Sequence, residues 1–556
     1  MPAVANFDPN SKLDLPRNVA DYPPNVWGDF FLQYASESME LDQNIAAEID
    51  SLKNEVRNML ATNNEKPFDK VKFVDSICRL GVGYHFEHEI DQVLQLIHKT
   101  YVVNGEIILE DNLHSLAVLF RVLRQRGLYV SPDVFKKFKD EQGNFSERNI
   151  TDVEGMLSLF EASHMMIHGE EILEEALAFT SAHLKSISTQ LNPSLAAQVK
   201  HSLTQALRKN LPRLEARRYI SIYEQNTSHN VILLRLAKLD FNMLQSLHQM
   251  EFGNICKWSK ELGITKKLPF ARDKIVECCF WSMSVYFEPQ YSQARKMMSK
   301  VIAHLSFIDD TYDSYGIIDE LELFTKAVER WDISCLDDLP NYMKILYKSL
   351  LNVYDEIEQE TKKEGRIYTL NYFVKDFKKI VQAYMTEARW LDKNYVPAID
   401  EYMSISKITS GYPVLSTTSY IGMGDIATED IFNWVTTMPK IVNGAALVCR
   451  LNDEIVSNEF EQKRGHVCSF LECYMTQYDT NREAAIQECQ KGVENAWKDM
   501  NEDCLTQTKV PLPLLTSVLN LARFIEVYYK DKDNYTHSEG LMKTHIKALL
   551  VDPVPY

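Results

Sequence analysis

Helix-breaking residues are scarce along this chain. Its 556 residues include only 19 glycines and 19 prolines, well below the roughly 12% that these two residues reach in an average protein. Long stretches show apolar residues at helical spacing, and the strict two-residue alternation of strands is nearly absent. Leu, Met, Glu and Lys, which favour helices, are frequent. The sequence therefore predicts an all-α protein, and its length predicts two domains.

A polar segment near the middle of the chain marks the predicted domain boundary. Residues 224–230, Glu-Gln-Asn-Thr-Ser-His-Asn, separate two long helical regions. We therefore predict an N-terminal helical domain of residues 1–228 and a C-terminal helical domain of residues 229–556. No internal repeat of about 30 to 45 residues is present, which counts against a helical solenoid.

The net charge limits the kinds of binding partner, and the spacing of the cysteines indicates the cellular compartment. The net charge of −18 argues against nucleic acid, whose phosphate backbone needs a basic surface. The ten cysteines show no CxxC spacing, a pattern typical of reduced intracellular proteins. No apolar stretch approaches the roughly 20 residues of a membrane span, and Met1 to Asp14 has no apolar signal core. We expect a soluble, cytosolic monomer.

An aspartate-rich run, Asp309-Asp-Thr-Tyr-Asp313, ends a stretch with helical spacing of apolar residues. Four residues are one helical turn plus about 40°, so Asp309 and Asp313 project from one face. Paired carboxylates at the edge of an apolar helix suit hard cations such as Mg2+. By chance, such a run arises in roughly one chain of this kind in ten, and acidic pairs usually form a solvated helix face.

A second oxygen-bearing series lies about 140 residues further on. Asp453, Ser457 and Glu461 are spaced four residues apart, and Arg450 lies close to the same helical stripe. Ser457 is an unusual choice for a solvated face but a suitable small ligand. Two such clusters with a fixed cation predict a clamp for a polyanion, most plausibly a diphosphate held through several Mg2+ ions.

Other residues are weaker candidates, each with a plain structural alternative. Arg272 and Lys274 could reach one phosphate from a loop, or form surface salt bridges. Trp281 is more often a core residue, although a ring face would suit a cationic intermediate. The Thr409-Ser410-Gly411 break is either a simple helix end or an unwound turn whose carbonyls favour positive charge in a pocket.

In this order along the chain, these segments resemble the plant terpene synthases, specifically the angiosperm sesquiterpene synthase branch. The resemblance also includes the segments Tyr22 to Gly28, Arg79 to His85, Lys238 to Asn242 and Tyr286 to Pro289. It implies a C-terminal class I terpenoid synthase helical bundle and an N-terminal α-barrel-like domain without its own activity. It further implies metal-triggered loss of diphosphate from farnesyl diphosphate, followed by cyclisation of the allylic cation.

The resemblance assigns expected roles to individual residues. Asp309 and Asp313 are expected to share two of three Mg2+ ions, and Mn2+ can substitute; Asp453, Ser457 and Glu461 are expected to bind the third. Asp310 is expected to order Arg450 and the diphosphate. The expected diphosphate contacts are Arg272, Arg450 and Arg464, with Lys274 standing where the family often has a second arginine. The expected pocket residues are Trp281, Thr409, Ser410, Gly411, Tyr529, Asp533 and Tyr535.

One departure from the monoterpene branch narrows the expected substrate. The monoterpene branch carries a plastid peptide and a tandem arginine before x8-Trp, whereas this chain has Arg17-Asn18 before Trp27. The lack of both a plastid peptide and a tandem arginine favours a cytosolic enzyme that uses the C15 substrate. The absence of DxDD argues against protonation-initiated cyclisation. A chain-elongating prenyltransferase and a non-catalytic helical relative remain as alternatives; the first would carry two DDxxD runs, and the second would release no diphosphate.

Overall fold

The computed structural model describes residues 17, 19–36, 38, 42–62, 66–105, 107, 111–146, 151–507 and 509–556. Within these ranges the chain is built from α-helices, short 3-10 segments and one π-helical segment (His98–Val103), and its only β-type pairing is a single bridge between Lys139 and Phe145. The predicted all-α class is confirmed. Asn18, part of the dipeptide that separates this chain from the monoterpene branch, lies outside the described residues. None of the described helices is both long and apolar enough to cross a membrane.

Eight described helices precede the polar segment at residues 224–230. Several begin where the sequence supplies a cap: the side chains of Asp42, Asn112 and Asn192 each accept a hydrogen bond from a backbone amide of the first turn. The helices are α1 (Gln43–Ala61), α2 (Pro67–Arg79), α3 (Glu87–Ile97), α4 (Leu113–Gln125), α5 (Val153–Ser163), α6 (Glu171–Ile187), α7 (Pro193–Thr204) and α8 (Pro212–Gln225).

Fifteen described helices follow the polar segment, whose first two residues end α8 and whose last residue directly precedes α9. They are α9 (Val231–Leu262), α10 (Ile264–Lys267), α11 (Ile275–Val285), α12 (Ser292–Ser314), α13 (Ile318–Arg330), α14 (Asn341–Lys363), α15 (Thr369–Asp392), α16 (Ile399–Thr409), α17 (Tyr412–Ile421), α18 (Glu429–Val435), α19 (Lys440–Lys463), α20 (Phe470–Tyr478), α21 (Arg482–Thr506), α22 (Leu512–Tyr528) and α23 (Leu541–Leu550).

The two helical regions share a continuous apolar core. One cluster of buried side chains includes Phe31 near the N-terminus and Val554 near the C-terminus. Polar contacts also join the regions, because Arg208 Nε donates to Asn501 Oδ1 at 2.9 Å. The division into residues 1–228 and 229–556 stays a prediction.

Helix α17 lies between the two helices that carry the predicted oxygen clusters. Helix α17 packs against both α12 and α19, and α15 packs against α12, α16 and α17. The acidic run lies at the C-terminal end of α12, and the second series lies in the C-terminal half of α19. Both series line one cavity beside α17.

Candidate active site

Both oxygen clusters line one cavity in the C-terminal region. The cavity holds about 1250 Å³ of empty space, counted out to its open mouth. The predicted metal ligands on its wall are Asp309, Asp313, Asp453, Ser457 and Glu461. Residues spaced four apart on each helix therefore share the face toward the cavity, as helical geometry predicts.

Helix α12 separates the roles of its three aspartates. Asp309 and Asp313 face the cavity, whereas Asp310 is fully buried and points away from it. Asp310 Oδ2 accepts a hydrogen bond from the backbone amide of Arg272 at 2.7 Å, and its Oδ1 lies 2.8 Å from Arg272 Nε. The expectation that Asp310 orders Arg450 is therefore wrong: the loop before α11 crosses next to α12 here, so the carboxylate orders Arg272.

Helix α19 presents the second series along one stripe. Ser457 is buried, and its Oγ has no hydrogen-bond partner among the described residues. A buried hydroxyl normally finds a partner, so this oxygen fits a ligand that the protein alone does not supply. Arg450, one turn before Asp453, donates from Nη1 to Asp453 Oδ2 at 3.2 Å.

Each of three aspartates at the cavity faces its own basic side chain. Arg272 Nη2 donates to Asp309 Oδ2 at 2.7 Å, and Arg450 pairs with Asp453. His466 Nε2 lies 3.0 Å from Asp313 Oδ2. The aspartates are therefore paired with the same basic residues that the cavity offers to an anionic ligand.

Crowding and partial burial shift the pKa values of these carboxyls. Burial, and next the charge of Asp313, raise the pKa of Asp309 to about 7. Burial and Glu461 raise the pKa of Asp453 well above its ordinary value. Burial would also raise the pKa of Asp313, but His466 reverses this and leaves it below the usual value. A cation bound among these carboxyls would relieve the repulsion between their charges.

The described residues also limit how a metal can be bound. Nowhere in the described ranges do three His, Cys, Asp or Glu side chains converge on a point where they could hold a metal ion by themselves. The two series lie instead on opposite helices across an open cavity. This arrangement fits Mg2+, which retains several ligand positions for water and phosphate oxygens.

Lys274 does not line this cavity. It is 2% exposed, and its Nζ donates to Ser538 Oγ at 3.0 Å; Ser538 Oγ in turn donates to Glu277 Oε1 at 2.5 Å. The expectation that Lys274 contacts the diphosphate therefore does not fit its position. Lys274 immediately precedes α11, and its buried side chain links the start of that helix to the loop before α23.

Aromatic and polar residues from distant segments form the cavity wall. Trp281 stacks on Phe524, with ring centroids 4.2 Å apart, and meets Tyr535 edge to face at 5.6 Å. Asp533 Oδ1 accepts the backbone amides of Tyr535 and Thr536, both at 2.9 Å, so this carboxylate shapes the loop. All seven predicted pocket residues line the cavity: Trp281, Thr409, Ser410, Gly411, Tyr529, Asp533 and Tyr535.

The helix break between α16 and α17 forms part of this wall. Gly411 adopts a positive φ of 79°, which favours glycine. The Thr409 carbonyl accepts a hydrogen bond from Tyr384 Oη at 3.4 Å, and the Thr409 hydroxyl donates to Glu387 Oε1 at 2.8 Å. Burial raises the pKa of Glu387 to about 8.

Sequence reasoning missed several residues of the cavity wall, among them the titratable side chains His466, Glu387 and Tyr22. His466 follows Arg464 by two residues, yet no ligand spacing marks it. Glu387 lies within an ordinary helical stretch. Tyr22 belongs to a segment that carried the family resemblance, but it lies 287 positions before Asp309 along the chain. Its place in that segment was the only signal that the sequence gave.

Comparison with known proteins bears on this site. Residues 26–203 match the family model "Terpene synthase, N-terminal domain", and residues 260–499 match "Terpene synthase family, metal binding domain". The chain belongs to the terpene synthase family. The metal-binding domain of the family thus covers both oxygen clusters, which supports divalent metal binding by this terpene synthase.

Similar proteins cover nearly the whole chain. It is 51% identical over 551 residues to "Probable terpene synthase 2" of Ricinus communis, covering 99% of both chains. It is 50% identical over 546 residues to a (-)-germacrene D synthase of Vitis vinifera, covering 98% of this chain and 97% of the relative. The fold matches isoprene synthase from grey poplar leaves (Populus x canescens), solved with three Mg2+ ions and dimethylallyl-S-thiolodiphosphate. That match has a TM-score of 0.86 and 32% identity, and it covers 96% of this chain and 99% of that chain.

Proposed function

We propose that this protein is a sesquiterpene synthase, a lyase that releases diphosphate from farnesyl diphosphate and cyclises the resulting allylic cation. The product is a sesquiterpene hydrocarbon or alcohol. The proposal rests on one observation: two facing oxygen clusters and three basic side chains meet at the mouth of a cavity with an aromatic wall. Sesquiterpene synthases among the relatives support the C15 substrate.

The residues at the mouth fit three Mg2+ ions. Asp309 and Asp313 would hold two of them, and Asp453, Ser457 and Glu461 would hold the third; Mn2+ can replace Mg2+. When bound, these ions neutralise the diphosphate as the carbon–oxygen bond breaks. The unpartnered Ser457 hydroxyl and the raised pKa of Asp309 and Asp453 support this assignment.

The basic residues bind and orient the diphosphate. Arg272 and Arg450 can each offer two parallel N–H groups to phosphate oxygens. Both now pair with aspartates, so a bound ligand would exchange these partners for phosphate. Arg464 lies at the C-terminal end of α19, where Nη1 donates to Ser314 Oγ at 2.8 Å. It is therefore placed to cover the diphosphate from the side of α12.

The cavity wall controls the cation after diphosphate leaves. The ring faces of Trp281, Tyr529 and Tyr535 attract positive charge without acting as strong nucleophiles. The apolar side chains of Ile302, Leu305 and Leu415 complete the wall and exclude water. Which carbon atoms meet then depends on how the wall folds the substrate.

Three further statements belong to this proposal. The enzyme acts in the cytosol, as the reduced cysteines support: all ten are free. It acts as a monomer. Its catalytic domain comprises residues 229–556, and residues 1–228 form a helical domain without its own activity.

The test uses the purified full-length protein with farnesyl diphosphate and Mg2+. We expect diphosphate release together with a sesquiterpene product by gas chromatography–mass spectrometry, and loss of both after chelation of the metal. Parallel samples contain geranyl diphosphate, or farnesyl diphosphate with isopentenyl diphosphate. A longer prenyl diphosphate in the last sample would identify a prenyltransferase, and no release in any sample would contradict the proposal.

A further inference from the structure

The N-terminal segment reaches the mouth of the cavity through Tyr22. The segment is anchored on one side by Arg17, whose guanidinium donates to both carboxylate oxygens of Glu320 at 2.9 Å. On the other side it is anchored by Phe31, which is 1% exposed in the core. Between these anchors, the Tyr22 side chain lines the cavity beside Arg272 and Arg464.

The Tyr22 hydroxyl joins the ends of the two helices that carry the oxygen clusters. It lies 3.1 Å from Ser314 Oγ and accepts from Arg464 Nη1 at 3.1 Å. Arg464 Nη1 also donates to Ser314 Oγ at 2.8 Å, which closes a triangle of three side chains. Ser314 directly follows Asp313 at the end of α12, and Arg464 directly follows α19.

The Tyr22 ring contacts the guanidinium groups at this mouth. Arg272 Cζ lies 5.1 Å from the centroid of the Tyr22 ring and 5.6 Å from that of Tyr535. The Arg464 Cζ atom lies 5.8 Å from the Tyr22 ring. A ring face attracts a guanidinium and restricts its rotation, so Tyr22 limits the positions that Arg272 and Arg464 can adopt.

We infer that Tyr22 is a positioning residue for the diphosphate site: its ring holds Arg272 and its hydroxyl holds Arg464 against the end of α12. The inference rests on the proposed function, because the arginines are taken to bind diphosphate. Tyr22 needs no contact with the substrate to act. It reduces the disorder of two cations before the anion arrives, which strengthens binding and aligns the departing diphosphate.

The test compares Tyr22→Phe and Tyr22→Leu with Tyr34→Leu in the full chain. Tyr34 belongs to the same segment but packs beside Phe30 and Phe31, away from the cavity, so it is a matched control. Binding of inorganic diphosphate in the presence of Mg2+ is measured by calorimetry, and KM and kcat for farnesyl diphosphate are measured separately. Thermal unfolding reports whether each variant is folded.

We expect Tyr22→Leu to raise the Kd for diphosphate about tenfold, and Tyr22→Phe, which keeps the ring, about threefold. Tyr34→Leu should leave this Kd unchanged. Should Tyr22→Leu not fold, Tyr22→Phe still tests the hydroxyl contact. A folded Tyr22 variant that binds diphosphate as tightly as the control would overturn the positioning role.

A different result would contradict the proposed function: no release of diphosphate from farnesyl diphosphate by the unchanged protein. The positioning role does not depend on that measurement, because the comparison of Tyr22 and Tyr34 variants uses inorganic diphosphate without turnover.

Discussion

His466 links the two oxygen clusters directly. Its Nε2 lies 3.0 Å from Asp313 Oδ2 on α12, and its Nδ1 lies 3.8 Å from Glu461 Oε2 on α19. Burial alone would lower the pKa of His466, but Asp313 and Glu461 together raise it to about 10. The ring therefore supplies positive charge between two carboxylates that would otherwise repel each other.

Replacing this histidine tests its part in the reaction. We expect His466→Phe to slow diphosphate release by about tenfold or more, because a cation is lost where negative charge develops. Diphosphate release at saturating Mg2+ and farnesyl diphosphate is the measurement. His88→Phe, at an exposed position on α3, is the control. Release at the unchanged rate in His466→Phe would show that the ring only fills space.

The metal ligands should be needed for turnover but not for folding. We expect Asp309→Ala and Asp453→Ala each to reduce diphosphate release by at least about a hundredfold. Neither should lower the melting temperature, because both carboxyls are partly buried and lie near like charges that raise their pKa. The exposed Asp355→Ala on α14 is the control. Near-normal activity in either variant, with magnesium as the sole metal, would refute the metal assignment.

Replacing Lys274 should affect stability, whereas replacing Arg272 should affect diphosphate binding. Lys274→Ala removes a buried link to Ser538, and we expect it to cost about 2 kcal/mol of unfolding free energy while Mg2+-dependent diphosphate binding is nearly kept. Arg272→Ala should instead weaken that binding by about tenfold or more. Calorimetry and denaturant unfolding on both variants provide the comparison, in which each variant controls for the other. Equal losses of binding would place Lys274 in the diphosphate site after all.

The cavity wall should steer products without controlling ionisation. We expect Tyr529→Phe and conservative changes at Ser410 or Gly411 to redistribute products while diphosphate release continues at a similar rate. A shift of about 1.4 kcal/mol between competing barriers already changes a product ratio tenfold. At Gly411 the positive φ adds backbone strain to any side chain, so Ser410→Ala is the cleaner change. Diphosphate release and the product profile are measured on the same samples. If these variants lose release and every product in parallel, with unchanged product ratios, the residues do not line the part of the cavity that folds the substrate.

Glu387 should make stability fall as pH rises. Its pKa is raised to about 8 by burial, so the folded protein keeps a proton that the unfolded chain loses above about pH 4.5. Between these values the unfolded state binds fewer protons, and this group lowers stability by about 1.4 kcal/mol per pH unit.

Glu387→Gln keeps an acceptor for the Thr409 hydroxyl and removes the ionisation. We expect its melting temperature to exceed that of the unchanged protein by a margin that grows from about pH 5 to about pH 8. The exposed Glu494→Gln on α21 should show no such trend. A constant difference across this range would mean that Glu387 is ionised in the folded protein.

The sequence by itself determined the local part of this site. Few helix breakers and helical spacing of apolar residues predicted α12 and α19, and four-residue spacing placed Asp309 with Asp313, and Asp453 with Ser457 and Glu461. These predictions hold because helix geometry is fixed by nearby backbone hydrogen bonds, so side chains one turn apart share a face whatever the rest of the chain does.

Only the tertiary structure decided which cation meets which carboxylate. Asp310 pairs with Arg272 and not with Arg450, Lys274 is buried against Ser538, and His466 and Tyr22 join the site from distant segments. Such contacts depend on how helices cross and on the path of the loops between them, which follow from the packing of the whole core. Spacing along the chain contains no information on that packing, so the pairs appear only once the helices are assembled.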